Sequence, residues 1–338
     1  MIENPEISVI MPVFNSSKYL KEAIQSILDQ SFENFEFIIL NDNSTDESLK
    51  IIKEFQLIDK RIVLINKTEN FGPSLLRNEG IEIAKAEFIA FMDADDVAVS
   101  QRFIKQIEVL KNNNDIGLCG SWFKLFGENI EDQIIKHYEF HDDLKINFLL
   151  ECYIGNPTVM FKKSLLKDLR FKNEFRVMGD YELWARFIHT TKFYNIQQVL
   201  VNYRWHQDNI TKTTNVDRQK IHLSIQTSQL NDFGIDLNTP NLDCYFLSLE
   251  FKERQNHEKI KNIIDGGKFL IEKNLELKIF NQKILENKIN DTICKLVTKA
   301  KNYNLDFLNY LLKHEFYFFK KLNIIDKIKV IFKSIFLK

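Results

Sequence analysis

Residues 88–100 read FIAFMDADDVAVS, an apolar run that ends in three carboxylates, Asp93, Asp95 and Asp96, within four positions. The run has the pattern of a buried strand. Side chains two apart on a strand point the same way, so Asp93 and Asp95 are expected to aim at one point. Two carboxylates placed like that repel each other unless something positive sits between them. One aspartate could cap a helix beginning near Ser100, but a cap needs one carboxylate and not three. A calcium loop of the EF-hand kind counted from Asp93 needs Gly and Glu where this chain has Ala98 and Ile104. A divalent cation, Mn2+ or Mg2+, held by one or two carboxylates and completed by substrate phosphates, is the expectation that survives.

Outward from this stretch, short apolar runs at 7–14, 35–42, 61–67, 87–95 and 116–123 read as buried strands. Helical patterns lie between them. Leu20, Ala23, Ile24, Ile27 and Leu28 share a face after Ser16 and Ser17, and Leu49, Ile52 and Phe55 follow Ser44, with Glu47 completing a capping box. Pro73 suits the first turn of a third helix with Leu76, Ile81 and Ile83 as apolar positions, and a fourth covers roughly 100–112. Strand and helix alternating at this pitch predict an α/β fold, a mostly parallel sheet flanked by helices. Such sheets bind ligands beyond the carboxyl ends of their strands. Asn15, Asp42 and the Asp93–Asp96 cluster fall there.

The chain has 338 residues, enough for about two domains. Its 46 Lys and Arg against 47 Asp and Glu leave no chain-wide basic footprint, which argues against nucleic acid as a partner. The widely spaced Cys119, Cys152, Cys244 and Cys294 form no CxxC pair and read as reduced thiols of a cytoplasmic protein. The start, MIENPEIS, carries no secretory signal pattern, and nowhere do 18 apolar residues run together.

The segments ISVIMPVFNSSKYLKEAIQSILDQSFENFEFIILNDNSTDESLKII and NFGPSLLRNEGIEIAKAEFIAFMDADD resemble the opening of a family 2 glycosyltransferase with the Rossmann-like GT-A fold. The resemblance runs from about residue 5 to about residue 206. It implies sugar transfer from a nucleotide-diphosphate donor with inversion at the anomeric carbon, and it makes DAD the metal-binding DxD motif. By the same resemblance Pro12, Phe14 and Asn15 line the nucleobase pocket, Asp42 bonds the base, and Arg77 lies near base and phosphates. Asp93 then touches the ribose, Asp95 the metal, and Asp96 orders the loop or the donor sugar. The family more often writes DDGSTD where this chain has NDNSTD, so Asn41 and Asn43 depart from it. The proline common beyond DxD is missing, while Arg102 keeps a familiar basic position.

In VMGDYELWARF the resemblance assigns the general base to Asp180, with Glu182 in reserve. An ordinary helix cap is the competing reading of Asp180, and helical spacing turns Leu183, Trp184 and Phe187 toward the core. A YRxHxxxxT-like segment ends the family's catalytic region, so His206 joins the metal or diphosphate candidates, as does Asp93 for the metal. His137 and His141 have helical spacing without an intervening general base and read as a solvated face.

The expected domains are a catalytic one over 1–211 and a helical region over 212–338, with Gly266 and Gly267 as a break. The tail from 311 to 338 has seven lysines against Glu315 and Asp326, with Phe316, Phe318, Phe319, Ile325, Ile328, Phe332 and Ile335 available for an apolar face. An anionic membrane surface and a helix docked on the catalytic domain or a partner subunit are equal readings. The partners expected are a nucleotide-diphosphate sugar, a glycan or lipid-linked acceptor and that membrane surface, with a homo-oligomer left open. The expected location is cytoplasmic, peripheral on the inner face of the membrane. A nucleotidyltransferase competes, although MPVFNSSKY lacks its Gly-rich phosphate loop; so does a non-catalytic sugar-nucleotide or glycan-binding module. The absence of spanning runs argues against a processive synthase.

Overall fold

The continuous apolar runs become strands buried on both faces, as parallel strands between helix layers must be. β1 (Ile7–Val13) pairs in parallel with β2 (Phe35–Asn41) on one side and β4 (Phe88–Phe91) on the other, and β2 pairs in parallel with β3 (Ile62–Asn66). Beyond β4 the sheet turns mixed. β8 (Met160–Lys162) runs antiparallel to β4 and to β6 (Ile116–Gly127), and β9 (Lys192–Trp205) lies parallel to β6. β5 (Val97–Ala98) and β7 (Gln133–Ile135) pair antiparallel with β9 and β6. The order is β3-β2-β1-β4-β8-β6-β9-β5. Chain order reverses at β1, where the chain goes outward to β2 and β3 and then across to β4, and this switch point opens a crevice at the carboxyl ends of β1 and β4.

The computed structural model describes residues 3–206, 218–232, 234–236, 256–301, 303–313 and 315–336. It divides into two compact units, 1–221 and 222–338. The expected boundary at 211 lies outside the described residues.

In the first unit, α1 (Ser17–Leu28) buries Leu20, Ala23, Ile24 and Ile27 against Ile7, Val9, Met11 and Val13 of β1. Each fully buried Leu or Ile there contributes about 2 kcal/mol. On the opposite face, α3 (Pro73–Ile83) comes so close to β1 that a Cβ on Gly80 would lie 2.6 Å from Cγ2 of Ile10. Leu76 and Ile81 point inward. Ile83 does not: it is two residues past Ile81, on the other side of the helix, and is 40% exposed. α4 (Arg102–Asn112) follows the acidic loop, and one short turn, α6 (Lys163–Leu166), follows β8.

The capping box expected from Ser44 and Glu47 is not formed. α2 (Ser48–Ile58) starts later, and Asp46 accepts from the Ser48 amide at 2.9 Å and from the Ser17 amide of α1 at 2.9 Å. One carboxylate thus serves the amino ends of two helices. Burial pushes the Asp46 carboxyl up, but the hydrogen bonds from Ser48 and Ser17 outweigh it and hold the group down at about 2. Because the folded value lies below the ordinary 3.8, its stabilisation is complete above that pH and is lost as pH falls through about 2. Asp46→Ala is expected to cost about 1 kcal/mol at neutral pH. The loss should shrink toward zero in acid melts, whereas a pH-independent loss would contradict this role.

The second unit is helical. After α8 (Arg218–Asp232), α9 (His257–Leu277) packs on α10 (Gln282–Thr298), each started by an asparagine, Asn256 and Asn281, that accepts a first-turn amide. Gly266 and Gly267 do not break α9; both are buried within it. The tail is not one helix but three pieces among the described residues: α11 (Leu305–Lys313), α12 (Phe316–Lys321) and α13 (Ile324–Phe336). The side chains of Phe316 and Phe318 lie outside those described, and Phe319 is buried. Among the described residues Cys119, Cys152 and Cys294 are free thiols, Cys244 lies outside them, and no helix is long and apolar enough to cross a membrane.

Candidate active site

The loops after β1, β2 and β4 meet at one rim because those strands are parallel. Pro12 sits in register with Leu40, one residue before β1 ends. Phe14 follows it with its ring 49% exposed, far from the core position that a strand-end aromatic usually takes. Asn15 adopts φ 46° and locks this loop to the next: its Oδ1 accepts from the Thr45 amide at 2.8 Å, and its own amide donates to Ser44 Oγ at 3.0 Å. Asn43 stands at φ 57°, a left-handed conformation that asparagine tolerates, which explains how this chain dispenses with the family's glycine.

Asp42 is 2% exposed and accepts from the Phe71 and Gly72 amides, each at 2.8 Å. It thereby fixes the turn before α3, with Gly72 at φ 85°. The turn leaves Phe71 38% exposed, a second open ring at the rim. Sequence reading missed this residue, although NFGP, a glycine and proline just before a helix, carried the signal.

The strand in the acidic stretch ends at Phe91, and residues 93–96 form a turn, so Asp93 and Asp95 do not share one target as strand alternation predicts. Each has its own partner. Asp93 accepts from Arg77 at 2.6 Å, and Asp95 faces Nε2 of His206 at 2.9 Å. Asp96 accepts from the Arg204 amide at 2.8 Å through Oδ1, while Oδ2 is buried without a hydrogen-bond partner. Burial raises the Asp93 carboxyl, with Arg77 opposing and the charges of Asp95 and Asp180 adding to the rise. Burial and the charges of Asp95 and Asp93 push Asp96 well above the ordinary range.

Positive groups therefore surround the loop. Arg77 is held between Phe91 and Phe171, each ring centroid 5.7 Å from its guanidinium carbon, and its Nε has no hydrogen-bond partner. Arg204, the arginine of the YRxH segment, to which the sequence assigns no role, donates to the Asp95 carbonyl at 2.8 Å and to Glu22 at 2.5 Å. It also lies over Tyr19, whose ring is 5.0 Å from that of His206. Arg102 is fully buried under the loop, donating to the Phe91 and Val159 carbonyls at 2.9 and 3.1 Å. Burial draws its guanidinium down to about 9, with Asp96 and Asp93 opposing. It supports the loop from below and does not face the crevice.

Asp180 lies in the first turn of α7 (Gly179–Phe187), and the residue at the cap position is Met178, in a left-handed conformation at φ 61°. The Asp180 carboxylate accepts from the adjacent Tyr181 amide at 2.9 Å and stands inside the helix, past the cap position, so it does not act as the ordinary cap. A Cβ on Gly179 would meet Ser74 Oγ at 3.1 Å, which sets the start of α7 against the start of α3. Glu182 is otherwise engaged. It is 5% exposed and takes Arg186 at 2.6 Å and Lys172 at 2.8 Å.

His137 and His141 do not form a solvated helical face. His137 lies in a loop before α5 (His141–Asn147), and burial holds both imidazoles down at about 4. A cavity of about 420 Å³ adjoins His141, Lys145, His189 and Lys192 at the amino ends of β6 and β9. It lies on the rim opposite the carboxylates.

The fit of a divalent ion rests on Asp95 and His206, an oxygen and a nitrogen donor already facing each other, beside the unpartnered oxygen of Asp96. No group of three or more His, Cys, Asp or Glu among the described residues forms a closed cage. The donors suit an ion shared with a diphosphate, the usual manner for Mg2+.

Residues 8–170 match the family described as Glycosyl transferase family 2; the match stops short of Asp180 and His206. An uncharacterized glycosyltransferase of Methanocaldococcus jannaschii is 37% identical over 209 residues, 60% of this chain and 72% of that protein. A GalNAc(5)-diNAcBac-PP-undecaprenol beta-1,3-glucosyltransferase of Campylobacter jejuni is 31% identical over 229 residues, 65% of this chain and 71% of that protein. Among solved structures, S. aureus TarS 1-349 in complex with UDP shares the fold, with a TM-score of 0.53 at 18% identity over 86% of this chain and 90% of that one.

Proposed function

The chain belongs to glycosyltransferase family 2, and on that premise we propose that it transfers a hexosyl or N-acetylhexosaminyl group, with inversion, from a UDP-sugar to a glycan or lipid-linked glycan. A lipid-linked glycan is the acceptor class that the Campylobacter relative's name carries, and the product would enter surface polysaccharide or lipooligosaccharide synthesis at the cytoplasmic face of the membrane. The observation that supports this most is the acidic turn at 93–96, met by Arg77, Arg204 and His206 and lying within the field of Asp180.

The exposed Phe14 ring would stack on the nucleobase, with Pro12 and Asn15 shaping its edge. Asp42 holds the neighbouring loop through two amides, and a carboxylate has further lone pairs with which to meet the base. Arg77, poised on Asp93, would turn toward the diphosphate and release Asp93 to the ribose. Asp95 and His206 would hold Mn2+ or Mg2+, which when bound supplies Lewis-acid stabilisation of charge on the leaving diphosphate. Asp96, tied to the backbone at Arg204, would keep the turn in shape. Asp180 would take the proton of the acceptor hydroxyl as it attacks the anomeric carbon from the face opposite the leaving group.

A thermal-shift panel of uridine, guanosine and thymidine diphosphates tests this directly. UDP with Mn2+ at a hundredfold excess over its Kd is expected to stabilise the protein by about 2.7 kcal/mol. UDP without the metal should do far less. Equal shifts with and without metal, or none with any nucleotide, would contradict the reading.

A further inference from the structure

α13 (Ile324–Phe336) presents the wrong face to its own unit. Its start is fixed by Asn323, which accepts from the Asp326 amide and donates to the Asp326 carboxylate, each at 2.8 Å. The helix packs against α10 and α11, and the residues it buries are Val330 and Ser334. At about 100° per residue, Ile324, Ile325, Ile328, Phe332, Ile335 and Phe336 fall within an arc of roughly 120° on the other side. All six face water, from Ile335 at 47% exposed to Ile325 at 78%. A helix whose partner lies within its own domain turns such a stripe inward. Lys327 and Lys329 border the arc on its two sides, Lys333 follows, and Asp326 is the one acidic residue in the helix sequence IIDKIKVIFKSIF.

We propose that α13 lies flat on an anionic bilayer, with its isoleucines and phenylalanines at the acyl boundary and its lysines among lipid phosphates. An apolar arc edged by lysines complements that surface chemically. A second copy would instead set lysine rim against lysine rim. The length argues for lying on the membrane: 13 residues reach about 20 Å, short of the roughly 30 Å hydrocarbon core. Lys320 and Lys321, exposed at the end of α12, add to the positive edge. This goes beyond the sugar-transfer reading and does not depend on it, since binding is read without donor or acceptor.

Co-sedimentation of the full chain with vesicles tests the proposal. The protein is expected to bind phosphatidylglycerol-containing vesicles about tenfold or more better than phosphatidylcholine vesicles, with the difference reduced by salt. Ile328→Asp with Phe332→Asp should abolish binding while the melting curve stays unchanged, because both side chains are exposed. Lys327→Glu with Lys329→Glu should remove the preference for the anionic lipid. Undiminished binding of the aspartate variant, or no binding of the wild type, overturns the proposal. So does a lipid-free oligomer that Phe332→Asp dissociates, which would give the face to a second copy.

Discussion

Asp180→Asn will leave donor binding intact and lower turnover by about a hundred- to ten-thousand-fold, the span over which a positioned general base contributes. Amide and carboxylate have nearly the same size, so the first turn of α7 keeps its shape and the bond from the Tyr181 amide keeps an oxygen acceptor. What disappears is the capacity to take the acceptor's proton. Glu182→Gln supplies the contrast. Its carboxylate is committed to Arg186 and Lys172, so that substitution should show first in the melting temperature. If Asp180→Asn kept near-native turnover in a steady-state transfer assay, the base would have to be assigned elsewhere.

Asp95→Ala is expected to weaken donor and metal binding together, by about 10- to 100-fold in donor Kd, the worth of a charge-assisted contact or two. The residue faces His206 and is partly open to solvent, so its loss should leave the fold standing. The pattern to look for by calorimetry is coupling: the wild type should bind UDP much more tightly with Mn2+ than without, and the variant should lose most of that difference. A variant that bound UDP weakly but kept the full metal enhancement would move the ion away from Asp95.

Much of the first unit was legible because parallel strands buried on both faces write themselves as unbroken apolar runs, and α1 writes its inward face at Leu20, Ala23, Ile24 and Ile27. The places where reading failed have local causes. Strand alternation does not extend past Phe91 into the turn, so Asp93 and Asp95 are not aimed at one point; Asp93 pairs with Arg77 and Asp95 faces His206. The cap of α2 was given to Ser44 and Glu47 because their spacing fits a capping box. Asp46 won because it reaches the ends of two helices at once, a tertiary fact that spacing cannot carry. Gly266 and Gly267 looked like a break but lie inside a packed helix, where burial overrides propensity. Phe71 belongs to no motif, and Arg204, although it is the arginine of the YRxH segment, carries no role in the sequence reading; only the fold brings them to the rim. In the tail, the sequence showed an amphipathic stripe but not which way it faces, because periodicity is the same for a helix turned inward or outward.

The central claim, that the turn after β4 receives the ion and the diphosphate together, is tested most directly by anomalous diffraction from crystals grown with UDP and Mn2+. The expected map has a manganese peak bonded to an Asp95 carboxylate oxygen, with the diphosphate against it and Arg77 drawn away from Asp93. A manganese peak or a nucleotide lodged elsewhere, with the Arg77–Asp93 and Asp95–His206 pairs still closed, would contradict it.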